Sequence, residues 1–158
     1  MNEPGMSNEL LLLRLAAAAL IGAIIGYERR MHQKAIGISG MMLVAVGSTT
    51  FMLLAKHESA TDASAVSRTL QGLLQGIGFL GGAVIFKGGT DVKGIKTAAA
   101  IWITGAIGMS IATGFWWLGL IVGCATAAIL FVADLHQREN AEEKEEEQTT
   151  ERIPGKAT

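Results

Sequence analysis

Apolar residues fall along this chain in five long blocks, and the charged residues collect in the short stretches between them. The blocks run from about Leu10 to Tyr27, Gly37 to Ala55, Thr69 to Phe86, Thr97 to Thr113 and Phe115 to Ala133. Arg14 is the only charge in the first. Between Gly37 and Ala133 the ionised side chains are Lys56, Glu58, Asp62, Arg68, Lys87, Asp91, Lys93 and Lys96, with His57 beside the first group. A water-soluble helix repeats polar residues on its outer face every turn or so. Here charge is absent for about 20 residues at a time, the length a helix needs to cross ~30 Å of hydrocarbon. The pattern predicts an all-α, polytopic membrane helix bundle of about five transmembrane helices. The third block is the most dilute, because Gln71, Gln75 and five glycines interrupt it, and a broken or re-entrant helix also fits there. "TGFWW" between the last two blocks is too short to do more than turn, which makes those helices antiparallel neighbours, with Trp116 and Trp117 at headgroup level.

The basic residues alternate between connections. The segment 27–36 carries Arg29, Arg30 and Lys34, the segment 87–96 carries Lys87, Lys93 and Lys96, and the tail carries Arg138, Lys144, Arg152 and Lys156. The N-terminal segment before Arg14 and the "TGFW" turn carry none, and the 56–68 connection has Lys56 and Arg68. Lys and Arg accumulate on the cytoplasmic side of membrane proteins. The expected topology therefore has the N-terminus outside and the C-terminus in the cytoplasm. Three parts follow: an N-terminal segment (1–9), a membrane domain (10–134) and a charged tail (135–158). The net charge of −1 hides this asymmetry, because "ENAEEKEEEQ" in the tail offsets the basic loops. Such a tail buries too little apolar surface to fold alone, and is expected to extend the fifth helix and then become disordered. The first apolar block follows "MNEPGMSNE", which has acids where a cleavable signal has bases. The single Cys124 lies within an apolar block and permits no intrachain disulfide.

"GIGFLGGAVIFKGGTDVKGIKT" (76–97) offers the one motif with another reading. Gly76, Gly78 and Gly81 spell the dinucleotide fingerprint G-x-G-x-x-G. That fingerprint needs a strand before it and an acid about 20 residues on. Upstream stands "RTLQGLLQ", without strand-like alternation, and the first acid, Asp91, comes too early. The phosphate-loop match fails because Ile95 separates Gly94 from Lys96. Glycine is better read as a spacer that lets helices approach closely in lipid. Pairs four apart recur at Gly22 and Gly26, Gly72 and Gly76, Gly78 and Gly82, and Gly119 and Gly123, with Gly105 and Gly108 adding a further small face.

Three ordered segments, "GYERRMHQKAIG" (26–37), "QGIGFLGGAVIFKGG" (75–89) and "VKGIKTAAAIWITGAIGMSIATG" (92–114), resemble the signature segments of the MgtC/SapB family of bacterial membrane proteins. The resemblance covers about Leu10 to Asp134. It carries over to Gly26, Glu28, Arg29, Lys34 and Gly37 in the first segment, and to Gly76, Gly78, Phe79, Leu80 and Gly81 in the second, with Arg68 shortly before it. In the third it carries over to Gly94, Thr97, Ala98, Ala99 and Trp102. It implies a five-span domain in the bacterial cell inner membrane and a role in adaptation to low magnesium and to life inside host cells. For the founding member it implies restraint of the proton-translocating ATP synthase. The chain departs from the family pattern in two places. Gly37-Ile38-Ser39-Gly40-Met41 stands where Gly-Leu-Arg-Thr-His is usual, and Lys96 stands where threonine is usual. Longer members add a soluble C-terminal domain, where this sequence has about 24 residues of charged tail.

Few residues offer chemistry. Arg14, one turn into the first block, is expected to snorkel toward the outer headgroups. Glu28 and Arg29 read as a solvated pair at the inner boundary. Glu28 is a weak metal candidate, with His32 at i+4, yet magnesium prefers oxygen ligands and keeps its waters. Gln71 and Gln75, one turn apart, are expected to point into the bundle and hydrogen-bond between helices. Thr49, Thr50, Thr97 and Thr104 fit either a polar path or bonds to their own helix. Lys87, Lys93 and Lys96 are expected against anionic lipid, at ~1 kcal/mol each. Trp102 reads as a packing residue. No acid lies in the middle of a block, where cation transporters commonly place one. No nucleophile stands beside a base, so neither an enzyme nor a cofactor is expected. The expected partners are the lipid bilayer, other inner-membrane proteins and further copies of the chain, and no nucleic acid. The leading expectation is a regulator or interaction partner in magnesium limitation or stress; the alternative is a magnesium or other cation transporter acting as an oligomer.

Overall fold

The computed structural model describes residues 7–31, 35–88 and 91–151, with side chains for 7–31, 35–87 and 92–135. Five helices carry the fold: α1 (Asn8–Met31), α2 (Ile38–Glu58), α3 (Ala65–Ala83), α4 (Ile95–Thr113) and α5 (Trp116–Glu151). Two short strands, β1 (Phe86–Gly88) and β2 (Asp91–Lys93), pair antiparallel between α3 and α4, with Lys87 opposite Val92. The sequence pattern read this stretch as a plain basic loop.

Four of the helices are long and apolar enough to cross a membrane: Asn8–Met31, Ile38–Glu58, Ile95–Thr113 and Trp116–Leu135. The expected third span is not among them. Its helix is displaced toward the N-terminus, starting at Ala65, so Arg68 joins Gln71 and Gln75 inside it. Even so, α3 runs the length of its neighbours. Ile77 meets α4 at Gly105 and Gly81 meets it at Ala98, an antiparallel register, and 19 residues rise ~28 Å. All five helices pack side by side in one bundle. The end of α1, the start of α2, the end of α3, the start of α4 and Asp134 of α5 gather at one end.

Helix α4 is the centre, with 56% of its span buried against 22% for α5. Ala100, Ile101, Ile107 and Ile111 join Ala18 and Ile25 of α1, Met41 and Ala45 of α2, and Leu130 of α5 in the main core. A second cluster of Met52, Leu53, Ala55, Met109 and Ala112 fills the opposite end. Glycines set the closest approaches. A Cβ on Gly22 would stand 2.7 Å from Met41 O, one on Gly26 2.6 Å from Ile38 Cα, and one on Gly108 2.5 Å from Ala45 O. These neighbours are backbone and cannot swing away. Thr49 ties the same seam, its Oγ1 2.9 Å from Ala45 O and 3.0 Å from Gly108 O. Thr104 bonds back to Ala100 O at 2.7 Å, and Thr97 is buried at the start of α4.

Gly94 and Gly114 bound α4 at φ 93° and 91°, in the left-handed region that glycine adopts without a Cβ penalty. Gly114 closes the helix with a Schellman pattern, in which the Phe115 N–H donates to Ser110 O at 2.9 Å. A Cβ on Gly94 would overlap Val84 O. Gly94 is thus a turn glycine that lets the hairpin fold back on α4, rather than a phosphate-loop or spacer glycine. At the far end α5 continues as helix to Glu151, in keeping with the good helix formers Ala, Glu, Lys and Gln of the tail, and 152–158 lie outside the described residues.

The α2–α3 connection is held by charge. Asp62 accepts from the Ser64 N–H at 2.9 Å and from the Ser64 hydroxyl at 2.7 Å, and Arg68 donates to it as well. The Ser64 hydroxyl, the Ser64 amide and Arg68 hold the Asp62 carboxyl down to about 2, from 3.8. A depressed carboxylate stabilises above its unfolded value and loses that contribution as pH falls through the folded one. The connection should therefore hold unchanged down to about pH 4 and loosen between about pH 4 and pH 2. Amide exchange at Ser64, followed against pH after correction for intrinsic rates, should show protection lost in that window. Asp62→Asn should abolish the pH dependence.

Candidate functional site

A buried ion network stands where the basic end closes. Arg29 leaves the last turn of α1 with its side chain 0% exposed and points inward, not into the loop. Its Nε donates to Glu28 Oε2 at 2.5 Å and its Nη2 to Glu28 Oε1 at 2.7 Å. The same Nη2 donates to Asp134 Oδ2 on α5, also at 2.7 Å. Asp134 is 2% exposed and faces a second cation, Lys96 Nζ, 3.4 Å from Oδ1; Nζ also donates to Ala133 O at 3.1 Å. Among the described residues the network sets two carboxylates against two cations, and this pairing is what makes buried ionised groups tolerable at the edge of an apolar bundle. Among the described residues, Arg29 Nη1 has no hydrogen-bond partner.

The geometry follows from where the helices end. Arg29 sits three residues past Gly26, at which α1 and α2 touch, so the guanidinium is drawn under the bundle. Lys96 lies in the first turn of α4, where the helix dipole disfavours a cation, and Asp134 offsets that cost. Asp134 thus joins α1, α4 and α5 through one side chain. The solvated-pair reading of Glu28 and Arg29 is corrected: Arg29 is fully buried and linked across the bundle. Lys96, expected against lipid, engages Asp134. Lys87 and Lys93 are exposed, as is Arg30; Lys34 and His32 lie outside the described residues. Nothing in the sequence reading singled out Asp134. The available signal was an acid closing the last apolar block on the same side as Arg29 and Lys96.

At the other end Arg14 is 8% exposed and donates from Nη1 to Ala112 O at 2.5 Å. It completes the last carbonyls of α4, a favourable place for a cation, instead of snorkelling to the headgroups. Gln71 and Gln75 point away from the bundle, both exposed, contrary to the expectation of interhelical bonds. Trp102 is 48% exposed and Phe79 78%, so both face outward instead of packing inside. Leu80 is exposed, Gly81 and Thr97 are buried, and Ala98 is half-buried against Gly81. Gly76 and Gly78 meet nothing within 4 Å of a Cβ, nor do Gly72 and Gly82. These glycines do not pack internally. Gly76 and Gly72 instead line an apolar groove of about 550 Å³ between α2 and α3, floored by Gly47, Ser48, Leu73 and Ile77 and opening sideways. Among the described residues no group of three or more His, Cys, Asp or Glu could hold a metal ion.

Long apolar helices around a glycine-spaced core, with charge confined to the ends, define a polytopic α-helical membrane protein. The family model for the MgtC family matches residues 15–138, and the chain belongs to that family. It is 42% identical to protein SrpB of Synechococcus elongatus, over 70% of this chain and 68% of SrpB. It is 37% identical to protein MgtC of Brucella abortus over 75% of this chain and 47% of the relative. It is 35% identical to YhiD of Escherichia coli strain K12, whose name refers to magnesium transport, over 77% and 59%. The chain spans about half the length of the Brucella relative. No solved structure matches.

Proposed function

We propose that this chain is a regulatory membrane subunit of the bacterial inner membrane, N-terminus outside, which binds other membrane proteins during magnesium limitation or stress. One observation carries the reading. An apolar groove between α2 and α3 opens on the side of the bundle, while Glu28, Arg29, Lys96 and Asp134 at the basic end are engaged with one another. A lateral apolar groove beside glycines with room for close approach suits a transmembrane helix of another protein. The proton-translocating ATP synthase is the partner that the family resemblance suggests.

The second reading, a magnesium transporter acting as an oligomer, is supported by the name of the Escherichia coli relative. Flux separates the two. Purified protein in phospholipid vesicles loaded with a magnesium indicator should admit the ion no faster than empty vesicles. Saturable, gradient-driven uptake that Glu28→Ala abolishes would instead establish transport and reject the regulatory reading.

A further inference from the structure

Helix α3 carries an unused seam. Ser64, Arg68, Gln71, Gln75, Gly78 and Gly82 recur at alternating intervals of four and three residues, the spacing that keeps side chains along one line of a left-handed helix pair. Every one of them is exposed, whereas the opposite side of α3 places Ile77 and Gly81 against the bundle. Among the described residues neither glutamine makes a side-chain hydrogen bond, and Gly78 and Gly82 have open space where a Cβ would stand. Gln75 lies ten residues from Ala65 and eight from Ala83, near the middle of a helix that runs the depth of the bundle. A primary amide facing hydrocarbon at that depth has no water to satisfy it. The bundle of one chain leaves this face to be covered.

We infer that the α3 seam docks against the α3 seam of a second copy of this chain, the two helices parallel about a two-fold axis along the membrane normal. Three properties select a copy over another occupant. A glutamine amide both donates and accepts, so two related amides satisfy each other without a complementary sequence. An isologous contact sets each residue opposite itself, which brings Gln71 to Gln71 and Gln75 to Gln75 at equal depth in the bilayer. Gly78 and Gly82 continue the seam with no side chain in the way, which permits close backbone approach below the amides. At the charged end Arg68 is neutralised within its own chain by Asp62, so two copies meet without net repulsion. The groove between α2 and α3 is lined by Gly72, Leu73, Gly76 and Ile77, none of them a seam residue, so the dimer does not rest on the function proposed above.

The test uses purified full-length protein in phospholipid vesicles, with Cys124→Ala removing the single native thiol. Gln75→Cys should form a covalent dimer on mild oxidation, while Leu70→Cys, on the side of α3 away from the seam, should remain monomeric. In the native-cysteine protein, Gln71→Leu with Gln75→Leu should weaken self-association at least tenfold by energy transfer between labelled copies. Thermal stability of that variant in detergent should match the parent, because the replaced side chains touch nothing in their own chain. Equal cross-linking at Gln75→Cys and Leu70→Cys, or undiminished association of the double leucine variant, overturns the inference. So does cross-linking of Gln75→Cys in native membranes to a protein other than this chain.

Discussion

Asp134→Ala should destabilise the bundle by roughly 3 kcal/mol, the low end of the cost of breaking a buried ion pair, because Glu28 still holds Arg29. Arg29 would lose its partner across the bundle while remaining 0% exposed, and Lys96 would lose the carboxylate that offsets its place at a helix N-terminus. The cost comes from removing the one carboxylate shared by Arg29 and Lys96 rather than from the strength of either ion pair. The double replacement Arg29→Met with Asp134→Leu should recover part of the loss, since well-packed apolar residues commonly equal a buried pair, while Glu28 and Lys96 are left without these partners. Denaturant unfolding in mixed micelles checks both. A double variant as unstable as the single one would mean that the network has a role beyond charge balance.

Gly22→Leu should be comparably damaging. A Cβ alone would sit 2.7 Å from Met41 O and 3.0 Å from Met42 Cα, and a leucine adds three more carbons in the same place. Overpacking of a tight core costs ~1–3 kcal/mol, and more when the obstacle is backbone. Gly76→Leu is the matched control, because a Cβ there meets nothing within 4 Å. It should leave stability unchanged within ~0.5 kcal/mol, as a replacement away from contacts does. Tryptophan fluorescence during unfolding reads both variants. Equal losses at the two positions would contradict the division between structural and surface glycines.

That division marks the boundary of what the chain's pattern reveals. Apolar blocks and charge placement made five helices and a membrane legible, because hydrocarbon thickness fixes both the length and the purity of a span. Gly22, Gly26, Gly105 and Gly108 were legible as spacers for the same physical reason. The identical spacing at Gly72 and Gly76 gave no sign that it faces outward, since periodicity shows that residues share a face but not what the face meets. Gln71 and Gln75 were misplaced for the same reason: their spacing places them on one face of α3, and that face is exposed. Asp134 escaped notice because its partner Arg29 lies 105 residues away, and only the antiparallel return of the helices brings α1 and α5 to one end. Arg14 was read from its position near a helix end, whereas the carbonyl it caps belongs to another helix.

With all five helices crossing one bilayer, the 59–64 connection and the strand pair lie on opposite sides of it. Single cysteines at Ala63 and Lys93, each in a Cys124→Ala background, test this in intact cells with a membrane-impermeant maleimide. Ala63→Cys should label from outside, and Lys93→Cys only after the membrane is permeabilised. Labelling of both positions from the same side would show that α3 does not cross, and would contradict the five-helix bundle.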